Sequence, residues 1–447
     1  APPPSRHRSA DGPLPRLVIV PGIMGSHLQA RRDRIWLDPA DLALGGLSPI
    51  AMNAPGPVSA DGLVELAYGA LADHLGASHA VTRFDYDWRQ PVRLLGRQLA
   101  ATLREQLQRE PARPLRLLVH SMGGLVTRAA FLADPALWDD LVASGGRLVM
   151  MGTPNHGSHL FVETLLGRSA TIRLLARADL RDSMQEVLDI VAGFPGALDL
   201  LPAPGFIDSS GRPGLDYHDP ATWQQLKSVH HDFWFGRQLC GVPATDPLKR
   251  AGESWRALAD TAWVQRHPER VAYVFGQAGQ TPCGLRLQRG SGVLVLNTTR
   301  GDGSVTWASG RLPGLPEERC WFMPVDHLGL TSSPRYFGEV EALLLHGTPL
   351  RLGRLPASRG ADDEAVTERG SSPPPAYPGR DELVGRLLGA TPAPRLPPCS
   401  QRPGLKVRVR AMDVRFAQVP VLCGHYRGDP IAGAQARETV DAQGYLL

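Results

Sequence analysis

The sequence predicts an α/β fold built on a mostly parallel, doubly wound sheet. Three short apolar runs rich in β-branched residues are typical of buried strands: RLVIV (16–20), LRLLVH (115–120) and VAYVFGQ (271–277). Between the first two, leucines recur at helical spacing over residues 91–110. Strands that alternate with helices indicate right-handed β-α-β crossovers, which generate parallel strand pairs.

Other segments continue this alternation. VTRFDYDWR (81–89) is typical of a strand that ends in a turn, and GGLVTRAAFLAD (123–134) is typical of a helix. RLVMMGTP (147–154) predicts another strand, and EVEALLLHG (339–347) predicts the last helix of the domain. The alternation stops between 159 and about 265, which predicts a helical cap inserted into the sheet domain.

Composition predicts the domain boundaries. Residues after 350 are rich in proline and in mixed charges, so they bury too little apolar surface to offset the entropy lost on ordering. One short helix is expected there, at DELVGRLLG (381–389). The predicted organisation is a first core part at 16–158, a cap at 159–265, a second core part at 266–350, a linker at 351–404 and a short β-containing tail at 405–447.

Composition also excludes several classes of protein. The 447 residues are 43% hydrophobic and 21% charged, as in an ordinary globular protein. No apolar run approaches the roughly 18 residues that cross a bilayer, and the start of the chain lacks the apolar core of a signal peptide, so a cytoplasmic location is expected. The 48 basic residues are interspersed with 44 acidic ones, which argues against nucleic-acid binding.

The five cysteines do not predict a metal site. They are far apart and lack the C-x-x-C spacing of zinc ligands. Pairing of Cys283 with either Cys240 or Cys320 is open in an oxidising compartment, and buried free thiols are the alternative.

The stretch LLVHSMGGLVTR (117–128) indicates a nucleophilic serine. Ser121 lies between an apolar strand and a helix, where a sharp turn presents the nucleophile of many hydrolases. Gly123 and Gly124 relieve the crowding that this turn creates, whereas Val119 is bulkier than the small residue usual there. The backbone N–H of Met122, at the helix N-terminus, is expected to face a developing oxyanion.

An earlier loop predicts the second oxyanion donor. In VIVPGIMGS (18–26) the backbone N–H of Ile23 follows the turn at Pro21 and Gly22, so it is expected to face Ser121. The alternative is that this segment is only a tight turn.

The remaining catalytic groups are expected downstream, in the order serine, acid, histidine. Asp302 lies in a glycine-rich loop, and His327 lies in a loop before the last helix. Asp302 would orient His327, which would accept the proton of Ser121. His120 lies inside the turn itself and Asp326 is too near His327 in sequence, so neither is expected to replace these two.

Aromatic residues of the predicted cap are candidates for substrate contacts. An apolar pocket lined by aromatic rings suits a lipid-like ester, and the same rings suit the core of the cap equally well. The residues concerned are Trp223, Phe233, Trp234 and Phe235.

Several blocks together resemble the lecithin:cholesterol acyltransferase-like family of α/β-hydrolases, which includes lysosomal phospholipase A2-type enzymes. The matching blocks are VIVPGIMGSHL (18–28), IWLDP (35–39), FDYDWR (84–89), VHSMGGLVTR (119–128), MGTPNHGS (151–158), GDGSV (301–305) and DHLGL (326–330). The resemblance covers roughly residues 16–347. It implies an α/β-hydrolase fold, the triad Ser121, Asp302 and His327, oxyanion donors at Ile23 and Met122, and no metal or organic cofactor.

The function expected from the sequence is hydrolysis of carboxylic, lipid-like esters through an acyl-enzyme, with peripheral contact to membranes. Two alternatives are open. One is acyl transfer to an alcohol acceptor, and the other is a non-enzymatic binding or regulatory module of a larger bacterial effector. The second alternative is motivated by Val119 and by the tail, which reads as the start of a further partner domain.

Overall fold

The computed structural model of the protein describes residues 13–30, 33–36, 47–178, 182–211, 214–230, 233–234, 237–288, 292–356, 367–369 and 380–391. The predicted tail at 405–447 lies outside them. Among the helices of these residues, none combines the length and the hydropathy of a membrane span.

Six strands form a central sheet in which every neighbouring pair is parallel. They are β1 (Arg16–Val20), β5 (Ala80–Arg83), β6 (Leu115–His120), β7 (Leu148–Met151), β10 (Val271–Phe275) and β13 (Cys320–Phe322). Their order is β13-β10-β7-β6-β1-β5. β1, β6, β7 and β10 are buried along their whole length, which explains why they appear in the sequence as continuous apolar runs.

Three small antiparallel sheets, which the sequence did not predict, accompany the central one in the described residues. Their strands are β2 (Ser26–Ala30), β3 (Asp33–Trp36), β4 (Val58–Leu63), β8 (Phe233–Trp234), β9 (Arg237–Gln238), β11 (Thr281–Gln288), β12 (Gly292–Thr298) and β14 (Thr367–Arg369). The β11-β12 hairpin leaves the central sheet after β10 and leads into the loop that carries Asp302.

Helices connect the parallel strands and fill the segment between β7 and β10. Those of the first part are α1 (Glu65–Leu75), α2 (Val92–Arg109), α3 (Met122–Ala133) and α4 (Leu137–Ala143). Those between β7 and β10 are α5 (His159–Leu165), α6 (Ala170–Ala178), α7 (Met184–Ala192), α8 (Pro195–Leu198), α9 (Pro220–Val229), α10 (Thr245–Leu258) and α11 (Ala262–Arg266). The later ones are α12 (Trp307–Gly310), α13 (Gly329–Ser332), α14 (Phe337–His346) and α15 (Arg380–Leu387), and short 3-10 turns lie at Ser48–Ile50, Pro268–Arg270, Glu317–Arg319 and Pro334–Tyr336.

The strand order places a change of winding direction at β1. β5 follows β1 on one side, and β6 then pairs with β1 on the other side. With right-handed crossovers this reversal puts helices on both faces of the sheet and opens a crevice at the carboxyl ends of β1 and β6. The protein has an α/β-hydrolase fold, as the sequence predicted.

The core has two parts. The larger cluster of buried side chains surrounds the central sheet and includes leucines 95, 99, 103 and 107, which give α2 its helical periodicity. A second cluster joins α5, α9, α10 and β12 through Val162, Trp223, Leu248 and Val293. The segment predicted as a cap therefore divides its buried apolar side chains between this cluster and the larger one.

The short helix α15 lies where the sequence predicted one inside the expected linker over 351–404, and it also packs on the core, which was not predicted. Val384, Leu387 and Leu388 are buried in the larger core cluster. Because proline and charged residues dominate the composition of this segment, composition alone did not predict that the apolar residues of α15 pack on the core.

A buried carboxylate at the start of α2 predicts a dependence of stability on pH. Asp199 Oδ2 accepts a hydrogen bond of 2.7 Å from the Val92 N–H. Burial raises the pKa of Asp199 to about 7, and the Val92 and Ser254 hydrogen bonds offset only part of this. The folded protein therefore holds a proton between about pH 4 and pH 7 that the unfolded chain releases, so this group's contribution to stability falls as pH rises through that window.

Asp199→Asn keeps an oxygen acceptor and cannot ionise, so the variant should lose this pH dependence. Between pH 5 and pH 7 its free energy of unfolding should gain up to about 3 kcal/mol relative to wild type, measured by urea denaturation. The control is Asp139→Asn, which changes a half-exposed carboxylate. If both variants follow the wild-type pH profile, Asp199 does not carry the effect.

Candidate active site

Ser121 lies at the sharp turn between β6 and α3. Its backbone has φ 54° and ψ −126°, a conformation that costs energy in any residue with a side chain. A serine at a helix N-cap ordinarily accepts a hydrogen bond from the first turn, yet this side chain accepts none. The hydroxyl is therefore available for chemistry.

Close packing around the turn explains its two glycines. A Cβ on Gly123 would lie 2.5 Å from the carbonyl oxygens of Val20 and Pro21, and a Cβ on Gly124 would lie 2.1 Å from Thr153 Oγ1. Both contacts are far shorter than van der Waals distance. The helix can thus start beside the ends of β1 and β7 only because these two positions lack side chains.

Val119 does not disturb this turn. It is fully buried in β6 and pairs in register with Val20 on one side and Met150 on the other. Its bulk lies within regular strand, and the positive φ is confined to Ser121. The departure from the usual small residue is therefore absorbed by the sheet.

Asp302 and His327 come together in the structure. His327 Nδ1 lies 2.7 Å from Asp302 Oδ2, and the backbone N–H of His327 donates to the Asp302 carbonyl at 2.9 Å. Asp302 Oδ1 accepts from the N–H groups of Ser304 and Val305 at 2.9 and 2.7 Å. The carboxylate is almost fully buried, so these donors fix both of its oxygens.

Ser121 and His327 line the same cavity. No hydrogen bond joins the serine hydroxyl to the ring in the described part of the chain. Such bonds are often long or poorly aligned without substrate and tighten when it binds. With Nδ1 bonded to Asp302, the ring nitrogen left for the serine is Nε2.

The loop after β1 forms another wall of this cavity, with Gly22, Ile23 and Met24. Met24 also has a positive φ, 61°. The Ile23 N–H donates to no other backbone or side-chain group of the described residues. The Met122 N–H is in the first turn of α3, where helical N–H groups have no intrahelical acceptor. Both predicted oxyanion donors are therefore unengaged.

A buried hydrogen-bond chain connects this loop to the His327 loop. The Gly22 N–H donates to Tyr68 Oη at 2.9 Å, and Tyr68 Oη lies 2.9 Å from His120 Nδ1. His120 Nε2 lies 3.0 Å from the His327 carbonyl oxygen. Because a carbonyl can only accept, His120 carries its proton on Nε2, and the Tyr68 O–H donates to Nδ1.

His120 has both ring nitrogens hydrogen-bonded, and it lies against His327. Its ring packs on that of His327, with centroids 4.6 Å apart. Burial, together with the charge that His327 can carry, holds the pKa of His120 well below its ordinary value. Sequence reasoning considered His120 only as a competing base, and nothing in the local sequence pointed to Tyr68.

The described residues that line the cavity include no lysine, arginine, aspartate or glutamate. Its walls are mainly aliphatic and aromatic, with Trp36 and Trp88 from the first part of the chain and Phe161 and Phe194 from the segment between β7 and β10. Such a lining favours an uncharged apolar group over a phosphate or a carboxylate.

No family model matches the chain, and no curated protein matches it. Solved structures give partial likenesses. A chain of the Tle4–Tli4 complex has a TM-score of 0.46 and 15% identity, covering 74% of this chain and 96% of that one. Bacillus licheniformis lipase BlEst2 in mature form has a TM-score of 0.36 and 15% identity, and the match covers 73% of this chain and 91% of that one. Phospholipase PlaB from Legionella pneumophila has a TM-score of 0.31 and 14% identity, and the match covers 66% of this chain and 45% of that one.

Of the four aromatic residues predicted to contact substrate, Trp223 is placed elsewhere. Trp223 is fully buried in the second core cluster, where its indole N–H donates to the Tyr217 carbonyl at 2.9 Å, and it does not line the cavity. Phe233 and Trp234 form the short strand β8, and Phe235 lies outside the described residues. Other aromatic residues take the predicted place, including Phe161 of α5.

Cysteine chemistry takes no part in the described site. Cys240, Cys283 and Cys320 are free, and burial raises the pKa of each thiol. The free-thiol interpretation is confirmed for these three. The described residues contain no cluster of side chains suited to hold a metal ion.

Tyr68→Phe tests the buried chain. The change leaves the Gly22 N–H and His120 Nδ1 without partners, so it should lower the free energy of unfolding by about 2 to 4 kcal/mol in urea denaturation. Tyr217→Phe is the control, since it removes a buried hydroxyl that bonds none of these groups and should cost about 1 kcal/mol. Equal losses of unfolding free energy in the two variants would contradict the hydrogen-bond chain through Tyr68.

Proposed function

We propose that this protein is a serine hydrolase that cleaves uncharged carboxylic esters with apolar acyl chains. The observation that carries the proposal is that Asp302 lies 2.7 Å from His327, which lines the same cavity as the free hydroxyl of the strained Ser121. The likeness of the motifs to the lecithin:cholesterol acyltransferase-like family agrees with lipid-like esters as substrates.

The first half of the reaction acylates the serine. Ser121 Oγ attacks the carbonyl carbon of the ester while His327 Nε2 accepts the hydroxyl proton. The carbonyl oxygen becomes an oxyanion, for which the unengaged N–H groups of Ile23 and Met122 are the donors. When the intermediate collapses, the bond to the alcohol oxygen breaks and His327 gives its proton to the leaving alcohol.

The second half restores the enzyme. Water enters, loses a proton to His327 and attacks the acyl carbon, and the carboxylic acid leaves as Ser121 regains its proton. Acyl transfer differs only in that an alcohol takes the place of water. A cavity that excludes water favours acyl transfer to an alcohol over hydrolysis. Measuring the ester and acid products in the presence of an alcohol distinguishes the two reactions.

Asp302 keeps His327 in the required state throughout. Its Oδ2 accepts from Nδ1–H, so Nε2 is the nitrogen that can take the serine proton. When His327 becomes positively charged, the buried carboxylate compensates that charge at short range. The N–H groups of Ser304 and Val305 keep the carboxylate in this orientation.

The free serine hydroxyl argues against a purely structural module. A strained backbone is retained where the surrounding structure enforces it, and such strain is concentrated at functional sites. Here the strain presents a hydroxyl to a cavity instead of capping the helix. A binding platform would need neither feature.

Ser121→Ala should abolish hydrolysis of p-nitrophenyl butyrate, with kcat at least about 10⁴-fold lower, because the attacking oxygen is removed. A fluorophosphonate probe should label wild type at Ser121 and leave the variant unlabelled. The control is Ser228→Ala, which changes an exposed serine of α9. Wild type that neither cleaves the ester nor reacts with the probe would sink the proposal.

Asp302→Asn should lower kcat by about 10²- to 10⁴-fold, since an amide can donate to Nδ1 and thereby stabilises the wrong tautomer of His327. The thermal midpoint of unfolding shows whether the variant is still folded. A folded variant with wild-type kcat for p-nitrophenyl butyrate would rule out Asp302 as the orienting acid.

A further inference from the structure

A segment from beyond the last helix of the hydrolase core returns to the candidate active site. α14 ends at His346, and α15 with the turn that follows it occupies residues 380–391. Leu387, Leu388 and Gly389 line the same cavity as Ser121 and His327. These residues belong to the segment that composition predicted to be a linker.

Packing anchors this segment to the rest of the molecule. Val384, Leu387 and Leu388 are buried in the larger core cluster. The Thr171 hydroxyl of α6 donates to the Arg386 carbonyl at 3.4 Å. α15 therefore packs as a regular part of the fold next to the cavity.

A carboxylate anchors the turn to the loop of His327. Asp326 Oδ2 accepts from both the N–H and the hydroxyl of Thr391, at 2.7 and 2.9 Å. Its other oxygen accepts from the Gly329 N–H at 2.8 Å, at the start of α13. Asp326, which precedes His327 in the chain, thus joins the turn after α15 to the histidine loop.

Gly389 lies against the side chain of His327. Its φ is +97°, which favours glycine, and a Cβ there would lie 3.0 Å from both Cβ and Cδ2 of His327. The same added Cβ would lie 3.2 Å from Ser304 Oγ. Any side chain at this position would press on the histidine or distort the turn.

We propose that residues 387–391, here named the C-terminal wall, are a working part of the active site. Leu387 and Leu388 close the cavity and limit the length of the acyl chain that it accepts. The turn at Gly389 is a positioning element that holds the ring of His327 against Asp302. The inference rests on the proposed function for the identity of the ligand, and the wall itself is tested by binding as well.

Changes at Leu388 test the control of chain length. Leu388→Ala enlarges the cavity, so kcat/KM for p-nitrophenyl dodecanoate relative to the butyrate should rise at least threefold over wild type. Leu388→Trp fills it and should lower this ratio at least tenfold, since each excluded methylene group is worth about fourfold. The matched control is Val384→Ala, which alters a buried residue of α15 one turn before Leu388 that does not line the cavity.

Binding measurements separate the wall from the esterase activity. In a Ser121→Ala background, isothermal titration calorimetry with dodecanol and hexanol measures binding in the cavity, which Leu388 lines. Leu388→Trp should weaken binding of the longer alcohol at least tenfold relative to the shorter one, and Leu388→Ala should strengthen it. If wild type does not hydrolyse esters but the Leu388 variants still change alcohol binding in this way, the proposed function is wrong and the proposed role of the C-terminal wall in binding is supported.

A pair of glycines tests the positioning of His327. Gly389→Ala should lower kcat for p-nitrophenyl butyrate at least tenfold with KM within twofold of wild type, because the displaced ring loses its alignment. Gly385→Ala is the control, since a Cβ there meets other atoms only at 3.6 Å or more within a helix. This control should keep kcat within twofold of wild type.

Two results would overturn the inference. One is that both Leu388 variants keep wild-type chain-length ratios in hydrolysis and in alcohol binding. The other is that a folded Gly389→Ala protein keeps wild-type kcat. Either result leaves the Ser121 mechanism intact.

Discussion

The backbone of Ser121 is the constraint on which the rest of the site depends. A positive φ in a residue with a side chain costs about 1 to 3 kcal/mol, and it persists only where the surrounding structure enforces it. Here the Ser121 N–H donates to the Met151 carbonyl at 2.9 Å, and β6 is held between β1 and β7. The sheet therefore fixes the hydroxyl at the one edge where the loops after β1 and β6 meet.

The acid is held in another way, by its own turn. Asp302 follows β12, which belongs to a small antiparallel sheet and not to the central one. A bridge between Gly301 and Thr306, together with the Asp302 N–H bonded to the Val305 carbonyl at 3.1 Å, closes the turn around the carboxylate. The hairpin can thus leave the sheet without moving the acid away from His327.

The sequence predicted those features that are local. Parallel strands buried on both faces appear as apolar runs, and a strand-turn-helix pattern around Ser121 spans only a few residues. Tyr68 and His120 meet across 52 positions of the chain, and no periodicity encodes such a contact. Trp223 could serve a core or a pocket equally well, and only the three-dimensional packing decides between them. The helix that leads to Leu387 and Leu388 was predicted, but the burial of these two residues was not, because the proline content of the surrounding segment is typical of a linker.

The described cavity residues include no charged side chain, so the charge of the buried Asp302 acts in one direction, toward the cavity. Asp302 lies behind His327 and not in the cavity, so its charge acts through the ring toward the position of the serine. His120, packed on the same ring, has a pKa far below the ordinary value and adds no opposing positive charge. In the proposed reaction, an apolar acyl chain that displaces water from the cavity would lower the local dielectric and strengthen the attraction between Asp302 and the imidazolium as it forms. A charged substrate would lose its own hydration in the same space, so the lining that suits an apolar ester would also support the proposed proton transfer.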